Sequence, residues 1–195
     1  MIGGHLVGHR YGRRVILWLH GAFGAGKSAV AAELRRQRPD VVLFDPEEVG
    51  YLLQRTPPVP TGDFQDLPEW RELVVATAAA LDADGRRLVL APMTMLQEAY
   101  VRQIVDGLGT RGVRLHQVLL DVAADELVRR VLADASPEHG DAADEVRAWR
   151  LERVATYADA RSWLVPMVDL VIDTTTLTPE EAATEVLVTV EQPSG

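Results

Sequence analysis

An apolar hexapeptide, VILWLH at 15–20, runs directly into GAFGAGKS at 21–28. The octapeptide satisfies G-x-x-x-x-G-K-[ST] in full, with a buried-strand pattern before it and a helical pattern from Lys27 onward. Each residue type has a physical reason. Gly21, Gly24 and Gly26 let the backbone curl until its N–H groups converge on one anion. The following helix start adds roughly half a positive charge at the same point. Lys27 can then reach the β- and γ-phosphates, and the Ser28 hydroxyl can ligate Mg²⁺. The expected nucleotide site covers Gly21, Ala22, Phe23, Gly24, Ala25, Gly26, Lys27, Ser28 and Ala29. Its ligands would be ATP or GTP with Mg²⁺, Ser28 being the metal-ligating side chain.

Lys27 stands out for a second reason: it is the single lysine beside 19 arginines. A compact ammonium fits where a planar guanidinium fork does not. The rest of the composition narrows the partner classes. The formal net charge of −9 opposes a nucleic-acid partner, and the lack of cysteine removes thiol nucleophiles and thiolate metal sites. No apolar run approaches the roughly 18 residues of a membrane span, and residues 1–14 lack the apolar stretch of a signal peptide. A cytoplasmic protein, monomer or homodimer, is expected. Its 195 residues suit one domain, 14–195, preceded by a mobile arm over 1–13.

Short apolar runs alternate with helical patterns along the chain. Strands are expected at 15–20, 41–44, 88–91, 113–120 and 170–172. Helices are expected from Lys27, from Pro46, and over 67–81, 96–108, 124–132 and 144–160, with a last helix capped by Thr178. TPPVP within 56–64 reads as a loop, Asp84-Gly85 as a turn, and acidic 135–144 as the core of a mobile lid over about 133–147. This alternation predicts an α/β fold, a parallel sheet with helices on both faces.

Three aspartates end strands. Asp45, in FDPEE, can serve as general base toward an acceptor hydroxyl or as N-cap ahead of Pro46. Asp121 reads as a cap for the Asp125-Glu126 helix, and Asp173 closes the fifth strand. Among the arginines, Arg129 and Arg130 precede the lid, while Arg147, Arg150 and Arg153 form a drifting stripe after it. Arg130 is the candidate for stabilising charge during transfer, and Arg129 for the nucleotide. The alternative for each is a surface pair with Glu126, Glu145 or Glu152. Phe64-Gln65-Asp66 with Trp70-Arg71, Met93-Thr94-Met95 and Tyr51 could line an acceptor pocket; Trp70 and Tyr51 fit a core role equally. His20 reads as a strand-end histidine.

WLHGAFGAGKS, FDPEEVGYLLQ, DFQDLPEWR and LAPMTML, in that order and spacing, resemble the tunicamycin-resistance family of P-loop proteins. That family lies in the nucleoside and small-molecule kinase group, with chloramphenicol phosphotransferase, shikimate kinase and adenylate kinase as relatives. The resemblance covers about 15–134 clearly and the remainder loosely. It implies a five-stranded parallel sheet of order 2-3-1-4-5 with a helical lid. It also implies that Lys27 and Ser28 hold nucleotide and Mg²⁺, and that Asp45, Gln65, Trp70, Arg71, Met93 and Thr94 line the acceptor pocket. The acidic lid departs from the arginine-bearing lids of such proteins. Three readings follow: an ATP-dependent kinase of a small-molecule hydroxyl, plausibly on a nucleoside-type antibiotic and conferring resistance; an ATP-dependent protein that sequesters the antibiotic; and a nucleoside-monophosphate kinase.

Overall fold

Alternation along β1 (Val15–His20) sets up two cores. Ile16 and Trp18 face one way, Leu17 and Leu19 the other, and all four are at most 1% exposed. A strand apolar on both faces must be covered on both, which demands helices above and below. The computed structural model describes residues 15–55, 62–83, 87–133 and 143–191. Its sheet is five-stranded and parallel, in the order β2 (Val42–Leu43), β3 (Val89–Pro92), β1, β4 (Arg114–Asp121), β5 (Leu170–Asp173). The α/β class and the 2-3-1-4-5 order are those expected.

On one face, Leu17, Leu19, Leu88 and Leu90 pack with α1 (Lys27–Gln37) and α7 (Pro179–Glu191) through Val30, Leu34, Ala183 and Val186. On the other, Ile16, Trp18, Val89 and Ala91 meet α3 (Pro68–Leu81) and α4 (Glu98–Gly109) through Val74, Ala78, Ile104 and Leu108. Each large side chain buried in this way contributes about 1.5–3 kcal/mol. Strand order reverses about β1, so the crevice at its carboxyl end is where such sheets take ligands. GAFGAGKS leaves β1 at that point.

Local chemistry fixes the helix ends. The Asp45 carboxylate accepts the Glu47 backbone N–H at 2.9 Å, with Pro46 opening α2 (Pro46–Gln54). Thr178 and Glu181 cap each other reciprocally at α7, the Thr178 hydroxyl accepting from the Glu181 N–H at 3.2 Å. A short 3-10 turn, Phe64–Asp66, is seated against α2 by the lack of a side chain at Gly50: a Cβ there would lie 2.4 Å from the Phe64 ring.

Two expectations need correction. The helix expected over 144–160 is α6 (Ala143–Leu164), a turn longer because Ala160 and Leu164 are buried. Asp121 does not cap α5 (Ala124–Ala133); it accepts from the Tyr157 hydroxyl at 2.8 Å and the Arg161 guanidinium at 2.8 Å, tying α6 to β4. Burial and that carboxylate raise the Tyr157 hydroxyl far above its ordinary range. The arm over 1–13, the TPPVP stretch at 56–60, the turn at 84–85 and residues 134–142 of the lid expected over about 133–147 lie outside the described residues, while 143–147 belong to α6.

Candidate active site

The loop's shape depends on glycine at two points in particular. Gly21 has φ +154°, and a Cβ there would lie 2.9 Å from the Leu120 carbonyl oxygen. Gly24, at φ +86°, packs against α5, where a Cβ would meet Val131 at 3.2 Å. The loop therefore fits against β4 and α5 only with bare Cα atoms at these two points, and Ser28 and Ala29 lie exposed in the first turn of α1.

Lys27 folds back over this loop. Its ammonium donates to the carbonyls of Gly21 at 3.0 Å and Ala22 at 2.9 Å, and to the Thr94 hydroxyl at 2.6 Å. Burial is the main reason its pKa drops to about 8; the Glu47 carboxylate opposes the drop and the Arg150 guanidinium adds to it. Behind the loop, buried His20 ends β1 with its Nε2 3.1 Å from the Gln117 side-chain oxygen, and burial lowers its pKa to about 4.

Beside the ammonium opens a cavity of about 740 Å³. Its walls come from five places: Phe23 of the phosphate loop, Glu47 and Tyr51 on α2, the segment 62–66, the stretch from Met93 to Tyr100, and one face of α6. Phe23 of the phosphate loop meets Trp149 of α6 edge-on, with ring centroids 4.7 Å apart. Aromatic rings and carboxylates share these walls with Arg150 and Arg153, a mixture suited to an organic molecule with both planar and polar parts.

The expected acceptor residues divide. Gln65, Met93 and Thr94 line the cavity. Trp70 does not: it is 0% exposed, a core residue whose Nε1 donates to the Pro46 carbonyl at 3.0 Å. Arg71 is also behind the wall, 7% exposed, donating to the Gln65 carbonyl and the Gln103 side chain and stacking 4.2 Å from the Tyr100 ring centroid. It shapes the wall without facing the cavity. Asp45 is an exposed N-cap outside the cavity lining. Three carboxylates do line it: Asp63, which caps the 3-10 turn, Asp66, which accepts from the Tyr100 hydroxyl at 2.9 Å, and Glu47, which accepts from the Tyr51 hydroxyl at 3.0 Å. Burial, then Glu47, raise the Tyr51 pKa to about 12.

The arginines divide too. Arg129 is exposed and paired with Glu126 at 2.6 Å. Arg130 pairs with the same Glu126 at 2.7 Å and donates to the Thr174 and Thr175 carbonyls. Neither lines the cavity. Arg147 is 2.7 Å from Asp144, whereas Arg150 and Arg153 are cavity residues. Glu47, Arg150 and Trp149 are thus the residues that sequence reasoning missed or left unranked. Among the described residues no group of three His, Asp or Glu could hold a metal on its own, and no helix is long and apolar enough to cross a membrane.

Similar folds occur in solved structures. The Deinococcus radiodurans tunicamycin resistance protein is 26% identical at TM-score 0.72, over 91% of this chain and 96% of that one. The Mycobacterium tuberculosis APS kinase in complex with AMPPNP and APS is 20% identical at TM-score 0.63, over 92% and 99%. Shikimate kinase from Acinetobacter baumannii in complex with shikimate is 16% identical at TM-score 0.52, over 92% and 94%. No curated protein matches the sequence. The resemblance to the tunicamycin-resistance family read from the motifs agrees with the first of these likenesses. Residues 16–160, from the second residue of β1 well into α6, match the AAA domain family AAA_33, and the chain belongs to that family.

Proposed function

We propose that the chain is an ATP-dependent phosphotransferase that acts on a hydroxyl of a small molecule, with a nucleoside-type antibiotic of the tunicamycin class as acceptor. One observation carries the reading: the Lys27 ammonium is bonded to Thr94, and Thr94 lines a large aromatic-walled cavity that Glu47 and Arg150 also line. Phosphoryl transfer asks the protein for positioned positive charge and an oriented nucleophile, and little else. The kinase-type fold and the 26% identical tunicamycin resistance protein support the choice of reaction and acceptor.

Each residue has a role within the reading. The loop N–H groups and the α1 start hold the phosphates, and Lys27 with Arg150 faces the migrating group. The exposed Ser28 hydroxyl, beside Lys27 in the first turn of α1, would hold Mg²⁺, which when bound would supply positive charge against the phosphates. Glu47 orients the acceptor hydroxyl and takes its proton, while Asp45 holds α2 in register beneath it. Phe23, Tyr51, Phe64, Tyr100 and Trp149 receive the planar and apolar parts of the acceptor.

Incubation with Mg·ATP and tunicamycin, followed by mass spectrometry, tests the reading. A phosphorylated acceptor is expected from the wild type and none from Lys27→Ala. Lys27→Arg also fails, since a guanidinium cannot fit between the Gly21 and Ala22 carbonyls. Tunicamycin binding tightened by ATP without any phosphorylated product would replace transfer with sequestration.

A further inference from the structure

An ammonium has three N–H donors, and those of Lys27 all meet protein acceptors: the Gly21 carbonyl, the Ala22 carbonyl and the Thr94 hydroxyl. A phosphate oxygen can gain a donor from Lys27 only by exchange with one of them. The two carbonyls belong to the curled loop and are fixed by it. Thr94 Oγ1 is a side-chain atom, it makes the shortest of the three contacts, and it already donates to the Gly21 carbonyl at 2.9 Å. Thr94 lies in the irregular stretch between β3 and α4, where no ladder pins the backbone. It is also 3% exposed, so its polar atoms depend on these partners.

The same residue reaches the acceptor wall. The Gln65 side-chain N–H donates to the Thr94 carbonyl at 3.1 Å, and Arg71 donates to the Gln65 carbonyl. An unbroken hydrogen-bonded path therefore runs from Lys27 through Thr94 and Gln65 to the Phe64–Asp66 turn, which lines the cavity.

We infer that Thr94 is a positioning residue which competes with nucleotide phosphate for Lys27 and, through Gln65, transmits the exchange to the acceptor wall. The inference rests on the proposed nucleotide site and adds a coupling between its two halves. Removing the hydroxyl removes the competitor but keeps the shape in Thr94→Val. Restoring it in Thr94→Ser restores the competition.

Titration calorimetry with Mg·AMPPNP should find Thr94→Val binding about tenfold tighter than wild type, as expected for losing a hydrogen bond to a charged group. Thr94→Ser should bind within about twofold of wild type on the same scale. Hydrogen exchange supplies the readout that a merely structural role would not move. Amides 64–67 should gain protection on adding Mg·AMPPNP to wild type, and should fail to respond in nucleotide-bound Thr94→Val. The wild type alone offers a third measurement, because lysine labelled with ¹³C and ¹⁵N gives signals from one side chain, that of Lys27. Its nuclear Overhauser contact to the Thr94 methyl should weaken when Mg·AMPPNP binds, whether or not the variants fold.

Equal or weaker binding by a folded Thr94→Val overturns the competition. A turn at 64–67 that ignores bound nucleotide overturns the coupling, and an undiminished Lys27–Thr94 contact overturns both. Absence of any Mg·AMPPNP binding to wild type is a different failure, since it removes the nucleotide site itself.

Discussion

Two helices flank residues 134–142, and α6 repeats only in part the way α5 uses its arginines, pairing Arg147 with Asp144 three residues earlier. On α5, Arg129 and Arg130 are held by Glu126, three and four residues earlier, and Arg130 also serves the carbonyls after β5. Hydrogen bonds from both arginines pull the Glu126 pKa down to about 2. On α6, Arg150 and Arg153 line the cavity, and the Arg153 guanidinium lies 4.7 Å from the Trp149 ring centroid. The difference is one of helix phase. A carboxylate one turn back captures a guanidinium along the helix surface, as for Arg129, Arg130 and Arg147. The residues one turn before Arg150 and Arg153 are instead Val146, Arg147, Trp149 and Arg150, and these two arginines line the cavity. Arginine abundance near a lid therefore says little about phosphate contact until such intrahelical pairs are subtracted.

The sharpest way to break this contrast is Arg150→Ala beside Arg129→Ala. Loss of a cation aimed at the migrating group costs on the order of 10²–10³ in turnover. That drop is expected for Arg150→Ala with an unchanged circular dichroism spectrum, while Arg129→Ala keeps the wild-type rate in the same assay. Equal effects from the two substitutions would erase the distinction between the helices.

A pH titration sharpens it further. With a Lys27 pKa near 8, phosphate meets an ammonium already formed below pH 8. Above pH 8, binding must take up a proton, so nucleotide affinity should fall by up to about tenfold per pH unit. Calorimetry in two buffers of different ionisation heat measures that proton directly. Arg150→Ala removes a like charge, raises the Lys27 pKa and moves the decline to higher pH.

The smallest of these effects belongs to α5. Arg130→Ala strips donors from the Thr174 and Thr175 carbonyls and should cost about 1–2 kcal/mol. For a chain of this size that corresponds to a melting temperature lower by roughly 2–8 °C. Differential scanning calorimetry checks it.

These contrasts track what the sequence made legible. The phosphate loop was readable because eight consecutive residues build it, chiefly from backbone groups. The parallel sheet followed from apolar runs such as VILWLH, which only burial on both faces can satisfy. The acceptor cavity draws on α2, a 3-10 turn, an irregular stretch and α6, so its lining depends on rotations that no single segment encodes. Asp45 and Glu47 illustrate the problem. They are two residues apart, and the cap that Asp45 forms with the Glu47 N–H directs Asp45 to the helix end and leaves Glu47 to line the cavity. A usable signal was present in Tyr51, one turn after Glu47, which pairs with it on a shared face. Trp70 lay beyond such reasoning, since its indole serves a core as well as a pocket, and only packing decides between them.

Gly50 holds a further consequence. Its bare Cα lets the Phe64 ring sit against α2, and Phe64 also lines the cavity. Any side chain at 50 must displace that ring and so alter the cavity wall. The breadth of the cavity is thus tuned from behind its own wall, by a residue that never meets the ligand. Substitutions at this one position would grade the chain's acceptors by girth, as a sieve does, with the phosphate loop left untouched.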